Sequence, residues 1–233
     1  MKYLFVFILF FPFIILQSSE DHNEIDADST AIIMEKMIRA VGRVDFVEKI
    51  ATYGMNWQPI EEGALSFAIF VEVEFPDKLH LNFQGMDLIV EGDRGWRKYY
   101  EGYYENLNEN MIRVLQGNLK RNVIFICKYP ASFRPVYQKK EIIQDKDCYI
   151  LFLDDGQMSF QLAIDCVSHL PWCLRYHEIV QDREHEISRY FLEYTTFSGI
   201  TYPTHIEVFD QNKNKISAIR INQVIFNDLE AEN

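Results

Sequence analysis

The chain has 233 residues, 48% of them hydrophobic and 25% charged, with 35 acidic against 23 basic side chains. That apolar content excludes a disordered chain, and the length suits one domain with a sizeable core or at most two small ones. The net charge of −12 argues against nucleic acid, whose phosphates select basic surfaces, and against adsorption to anionic headgroups.

The first twenty residues read as an address. Lys2 precedes an apolar run from Tyr3 to Leu16, and Gln17, Ser18 and Ser19 follow. One basic residue, an apolar core and a small-residue exit make a secretory signal peptide, cleaved near Ser18/Ser19. The run falls short of the roughly twenty residues of a membrane span. Acidic sequence (Glu20, Asp21, Glu24, Asp26, Asp28) follows at once, and an uncleaved anchor is the alternative. Loss of residues 1–18 removes one positive charge, Lys2, and leaves the mature chain near −13. The expectation is an exported, soluble, periplasmic protein.

Helical spacing of Ile32, Ile33, Met37, Ile38 and Val41 predicts a helix from Ser29, with Gly42 at its end. A second short helix is predicted over Asp45–Tyr53, capped by Asp45. From Leu65 to Phe75 the period becomes two: Leu65, Phe67, Ile69, Val71, Val73 and Phe75 share one face of a strand. Pro76-Asp77 turns the chain, and Leu79, Leu81 and Phe83 alternate with polar residues. Met86–Val90 and Trp96–Tyr100 give two more strands, which connections this short make antiparallel neighbours.

Leu107, Met111, Ile112 and Leu115 predict a middle helix ended by Gly117, while Val123–Cys127 reads equally as strand or buried helix. Six further strands follow: Cys148–Leu153, Met158–Ile164, Trp172–Val180, Glu186–Tyr194, Tyr202–Phe209 and Ile216–Phe226. Their turns are Asp154-Asp155-Gly156, one expected near Asp182, Ser198-Gly199 and Asp210–Asn214. The sum is an α+β chain built on a strongly curved antiparallel sheet of about ten strands, with helices available to cover its concave face.

Four cysteines in an exported chain are candidates for disulfides. Cys166 and Cys173 flank a hairpin connection that would let them face one another, leaving Cys127 and Cys148; buried free thiols are the alternative. Nothing points to catalysis. There is no G-x-S-x-G elbow, no H-E-x-x-H and no phosphate-cradling glycine loop. His169, His177 and His185 recur every eighth residue, and His177 and His185 could meet across a hairpin; solvated strand faces are the plainer reading than a metal site. No catalytic residue, metal or cofactor is expected.

Three stretches together resemble the outer-membrane lipoprotein carrier and sorting proteins, the LolA-like superfamily. The first is Val71-Glu72-Val73-Glu74-Phe75-Pro76-Asp77-Lys78-Leu79 followed by Leu88-Ile89-Val90-Glu91-Gly92-Asp93-Arg94-Gly95-Trp96. The second is Asp147-Cys148-Tyr149-Ile150-Leu151 with Ile164-Asp165 and Leu170-Pro171; the third runs from Tyr190–Tyr194 through Gly199–Ile206 to Ile219–Phe226. The resemblance covers nearly all of residues 19–233, read as one domain. It implies an incomplete β-barrel with a helical lid, whose hydrophobic cavity receives lipid or lipoprotein acyl chains in the periplasm. It also implies lipoprotein-trafficking components of the inner or outer membrane as partners. In the best-known carriers an arginine just before the strand's proline helps latch the lid; here that residue is Phe75. The cavity wall is expected to draw on Phe67, Ile69, Val71, Val73, Leu81, Phe83, Trp96 and Ile206. A core filled by the protein's own side chains would instead suit an envelope interaction or sensing module.

Overall fold

A computed structural model describes residues 27–60, 68–99, 102–180 and 183–226. The leader reading, Leu65, Phe67 and the turn near Asp182 lie outside the described residues. The chain opens with helices α1 (Ala27–Val41) and α2 (Val44–Lys49). Ile33, Met37 and Val41 lie four apart and are buried, with Met34 beside them, while Glu35 and Arg39 pair on the outer face at 2.6 Å. Burying these four side chains contributes about 1.5–3 kcal/mol each.

Six strands follow: β1 (Thr52–Pro59), β2 (Ile69–Glu74), β3 (Lys78–Phe83), β4 (Met86–Glu91), β5 (Arg94–Lys98) and β6 (Tyr104–Asn106). Helices α3 (Glu109–Lys120) and α4 (Val123–Lys128) and a 3-10 turn at Pro130–Phe133 come next. The rest is strand: β7 (Val136–Ile143), β8 (Lys146–Asp154), β9 (Ser159–Asp165), β10 (Pro171–Val180), β11 (Arg183–Phe197), β12 (Ile200–Asp210) and β13 (Lys215–Phe226).

All thirteen strands form one antiparallel sheet in the order β6-β5-β4-β3-β2-β1-β13-β12-β11-β10-β9-β8-β7. Two meanders therefore meet at a seam, where β1 pairs with β13 from Tyr53↔Phe226 to Pro59↔Ile219. The sheet does not close: β6 and β7 are its two edges, and α3, α4 and the 3-10 turn carry the chain from one edge to the other. The fold is an incomplete β-barrel with helices.

The main core lies between the helices and one face of the sheet, the concave one. Val71, Val73, Leu79, Leu88 and Val90 from one meander meet Leu151, Leu153, Leu162, Leu174 and Ile206 from the other. Val123–Cys127 is helix α4, and every one of its five residues is buried. Burial on all sides erases the helical period, so the decision falls to Asn122, whose side chain caps the helix by accepting from the Ile124 N–H at 2.9 Å. Phe75, at the latch-arginine position, packs its ring against Phe125 and Tyr129 of the α4 region, both at 5.9 Å. A smaller cluster of Ile143, Cys148, Ile150, Ala163, Trp172 and Cys173 sits on the opposite face, where the Lys146 ammonium lies 3.9 Å over the Trp172 ring.

Several expectations are corrected. The sheet has thirteen strands, because β1, β6 and β7 join the ten expected. The second helix stops at Lys49, and Tyr53 belongs to β1; its N-cap is Arg43, which pairs with Asp45 at 2.7 Å. Gly117 lies inside α3, which continues to Lys120. Cys166 and Cys173 are free thiols, as are Cys127 and Cys148. The hairpin register sets Cys173 opposite Ala163, whereas the Cys166 N–H donates to Asp147 O on the far side of β9, so the two do not face one another. His177 and His185 do not pair either. His177 is opposite Glu186 and His185 is opposite Glu178, which places the two rings on opposite faces of the hairpin.

A candidate ligand pocket beside the crossing helix

Helix α3 spans the mouth of the unclosed sheet and is fastened at both sides. Asn108 caps it, accepting from the Met111 N–H at 2.9 Å. On the β3–β5 side, Ile112 and Leu107 rest on Gly95, where a Cβ would lie 3.0 and 3.1 Å from them; the absent side chain lets the helix approach. Gln116 Nε2 donates to the Gly92 carbonyl on the same side. On the other, Lys120 Nζ meets Asp155 Oδ2 at 2.5 Å and Gln157 Oε1 at 3.1 Å in the β8–β9 turn. Burial pushes the Asp155 carboxyl up, but Lys120 and the N–H groups of Met158 and Gln157 outweigh it and hold the group below its ordinary value. Arg189 Nη2 on β11 donates to Asn118 Oδ1 at 3.0 Å.

The last fastening is Arg121, the residue that ends α3. Its side chain folds back across the helix, 5% exposed, over Gly117. The guanidinium stacks on the Tyr176 ring at 3.8 Å, and Nη2 donates to Glu178 Oε1 at 3.1 Å. Burial draws its pKa below the ordinary arginine value despite the neighbouring Glu178. Just beyond it, Asn122 Nδ2 donates to the Tyr202 hydroxyl at 2.6 Å, and burial pushes that phenol up to about 12.

Beside α3 this arrangement leaves a pocket of about 650 Å³. Ile112, Val114, Met158 and Ile179 form the apolar part of a lining that is otherwise polar and charged; Arg121 is buried in it, Glu178 is half-buried, and Asp93, Glu109 and Glu184 stand exposed around it. The volume falls within the range of small-molecule sites, while the lining is more polar than the mostly apolar walls usual for them. Among the described residues no group of three or more His, Cys, Asp or Glu is placed to hold a metal ion.

None of the predicted wall residues among the described ones lines this pocket. Val71, Val73 and Ile206 are buried in the main core, and Ile69, Leu81 and Phe83 pack against it half-buried. Trp96 lies opposite Ile89, between Leu88 and Val90, so it stands on the other face from those core residues. Phe67 is outside the described residues. Of the lining residues the sequence singles out only Ile112, on the apolar face of the middle helix, and His177; the others come from exposed turns, the outer part of α3 and a hairpin end, none of which shows a strand period. One trace was present: Gly117 and Arg121 lie four apart, the spacing at which a missing Cβ makes room for a long side chain.

An unclosed antiparallel sheet whose mouth is crossed by helices is a LolA-like fold. Among solved structures, the chain is similar to a DUF1329 family protein from Desulfovibrio piger (14% identity, TM-score 0.58, covering 85% of this chain and 93% of that one). It is equally similar to a LolA superfamily protein from Nitrosomonas europaea (14%, 0.58, 86% and 94%). A putative outer membrane lipoprotein-sorting protein domain from Vibrio parahaemolyticus also matches (11%, 0.56, 85% and 95%). No family model and no curated protein matches the sequence.

Proposed function

We propose that this protein is an exported periplasmic carrier, without enzymatic activity, that holds an acyl-bearing ligand in the pocket beside α3. The ligand class is lipid or the acyl chain of a lipoprotein, and the partners are membrane components that load or unload it. The observation carrying this reading is the pocket of about 650 Å³, with an apolar stretch of wall at Ile112, Val114, Met158 and Ile179, at the open mouth of a LolA-like half-barrel. The fold alone would not suffice, since fold does not fix function.

A second reading draws on a different observation. The concave face is filled by α1 and α4, whose Met37, Val41, Ile124 and Ile126 are almost fully buried. A filled core suits an envelope interaction or sensing module. Native mass spectrometry with organic extraction of mature protein from a periplasm separates the two. The carrier reading expects a co-purifying phospholipid or acylated peptide at defined stoichiometry. A ligand-free protein that also fails to take up added lipid or acylated peptide refutes it in favour of the module.

A further inference from the structure

A guanidinium carries five N–H donors, and that of Arg121 makes one hydrogen bond among the described residues, from Nη2 to Glu178. Its Nε is buried with no partner, although the residue forms part of the pocket wall. A desolvated cation with spare donors is costly unless an acceptor reaches it. The local charge adds to that demand. The Arg189 guanidinium lies 5.6 Å from the same Tyr176 ring, so two cations flank one ring while the half-buried carboxylate beside them, Glu178, is already engaged by Arg121.

The rim has the opposite sign. Asp93, Glu109 and Glu184 border the pocket, are exposed, and have no ion-pair partner among the described residues; Arg113 is the rim's single arginine. Buried positive charge within and surplus negative charge without is the complement of a zwitterion. We propose that the pocket recognises a zwitterionic head group, its anionic oxygens on Arg121 and its ammonium against Glu109 and Glu184. The tail of the amphiphile lies along Ile112, Val114, Met158 and Ile179. This rests on the reading that the pocket holds an amphiphile.

The test is calorimetric titration of the mature chain, below the micelle threshold, with four probes. Three share one acyl chain: lysophosphatidylethanolamine (zwitterion), lysophosphatidylglycerol (anion only) and monoacylglycerol (neutral). The fourth is free O-phosphoethanolamine. The zwitterion should bind about tenfold more tightly than the neutral lipid, the scale of one charged hydrogen bond. Arg121→Gln should abolish that preference. Should that variant fail to fold, Glu109→Gln/Glu184→Gln changes two exposed positions only. It should weaken the zwitterion about threefold and leave the anion-only lipid no weaker. Equal affinity for neutral and zwitterionic lipid overturns the head-group inference and leaves the amphiphile reading intact. Equal affinity for both charged lipids, unchanged in the double variant, overturns the ammonium site. No binding of any probe overturns both readings. Free O-phosphoethanolamine binding as tightly as its lipid supports the head site while refuting the amphiphile.

Discussion

Replacing Gly117 by Ala provides a test of how α3 is held. In an unencumbered helix interior the change stabilises by about 0.8–1 kcal/mol. Here the new Cβ would lie 2.9 Å from Arg121 Nη2 and 3.1 Å from Cζ and Nη1. The guanidinium must move, and it is confined by the Tyr176 ring and by Glu178. Losing a charged hydrogen bond costs about 1.5–3 kcal/mol and a desolvated cation–π contact about 2. Set against the helical gain, loss of both contacts should destabilise the variant by about 2.5–4 kcal/mol, or roughly 5–16 °C in Tm for a domain of this size. Thermal and urea unfolding of Gly117→Ala, Arg121→Ala and the double variant would measure this. In the Arg121→Ala background the same glycine change should reverse sign and stabilise. A stabilised single variant would refute the argument, since it would mean that Arg121 relocates without cost.

Further outcomes follow from the same contacts. Asn122→Ala removes both the α4 cap and the bond to Tyr202, so it should cost about 2 kcal/mol or more in urea unfolding. Asp155 has a lowered pKa in the folded state, so its contribution is complete above its unfolded value, near 3.9, and is lost as pH falls through the lower folded one. Amides of α3 should therefore lose hydrogen-exchange protection below about pH 4, before β8–β12, and Asp155→Asn should abolish that pH dependence. A thiol reagent should find one reactive group in the native chain, the half-buried Cys166, and four after denaturation. Burial raises all four thiols, Cys148 to about 11 and Cys173 to about 12, so access rather than thiolate character singles out Cys166, the one that is not fully buried. Two thiols in the denatured, unreduced protein would mean a disulfide.

The parts of the fold most legible in the sequence were those with an apolar period or a clear turn at each end. Strands β2–β5 and β13 alternate, β8–β12 are bounded by legible turns although parts of β8–β10 are buried on both faces, and the structure places all of them close to the segments read. Strand β1 lies at the seam with neighbours on both sides; Tyr53, Gly54 and Met55 are buried in succession, so its alternation vanishes. Edge strands fail for the reverse reason: β6 is wholly exposed, and Lys139, Lys140 and Glu141 crowd the middle of β7. The site was less legible than the fold. A period of two identifies the apolar face of Val71 and Val73 without saying whether ligand or helix will cover it, and here helices do. Arg121 could be recognised only once the end of α3 was placed over Tyr176.

The seam between β1 and β13 has a consequence for how the molecule assembles. Every other strand pair joins neighbours in sequence, so each meander can zip locally from hairpins. The Tyr53↔Phe226 register instead closes a loop of most of the chain. Closure entropy grows with loop length, and contacts between distant residues slow folding. Two preformed half-sheets, joined last along one ladder, are the expected order of events. Until that ladder forms, each half exposes an unpaired central strand, the kind of edge that recruits other chains.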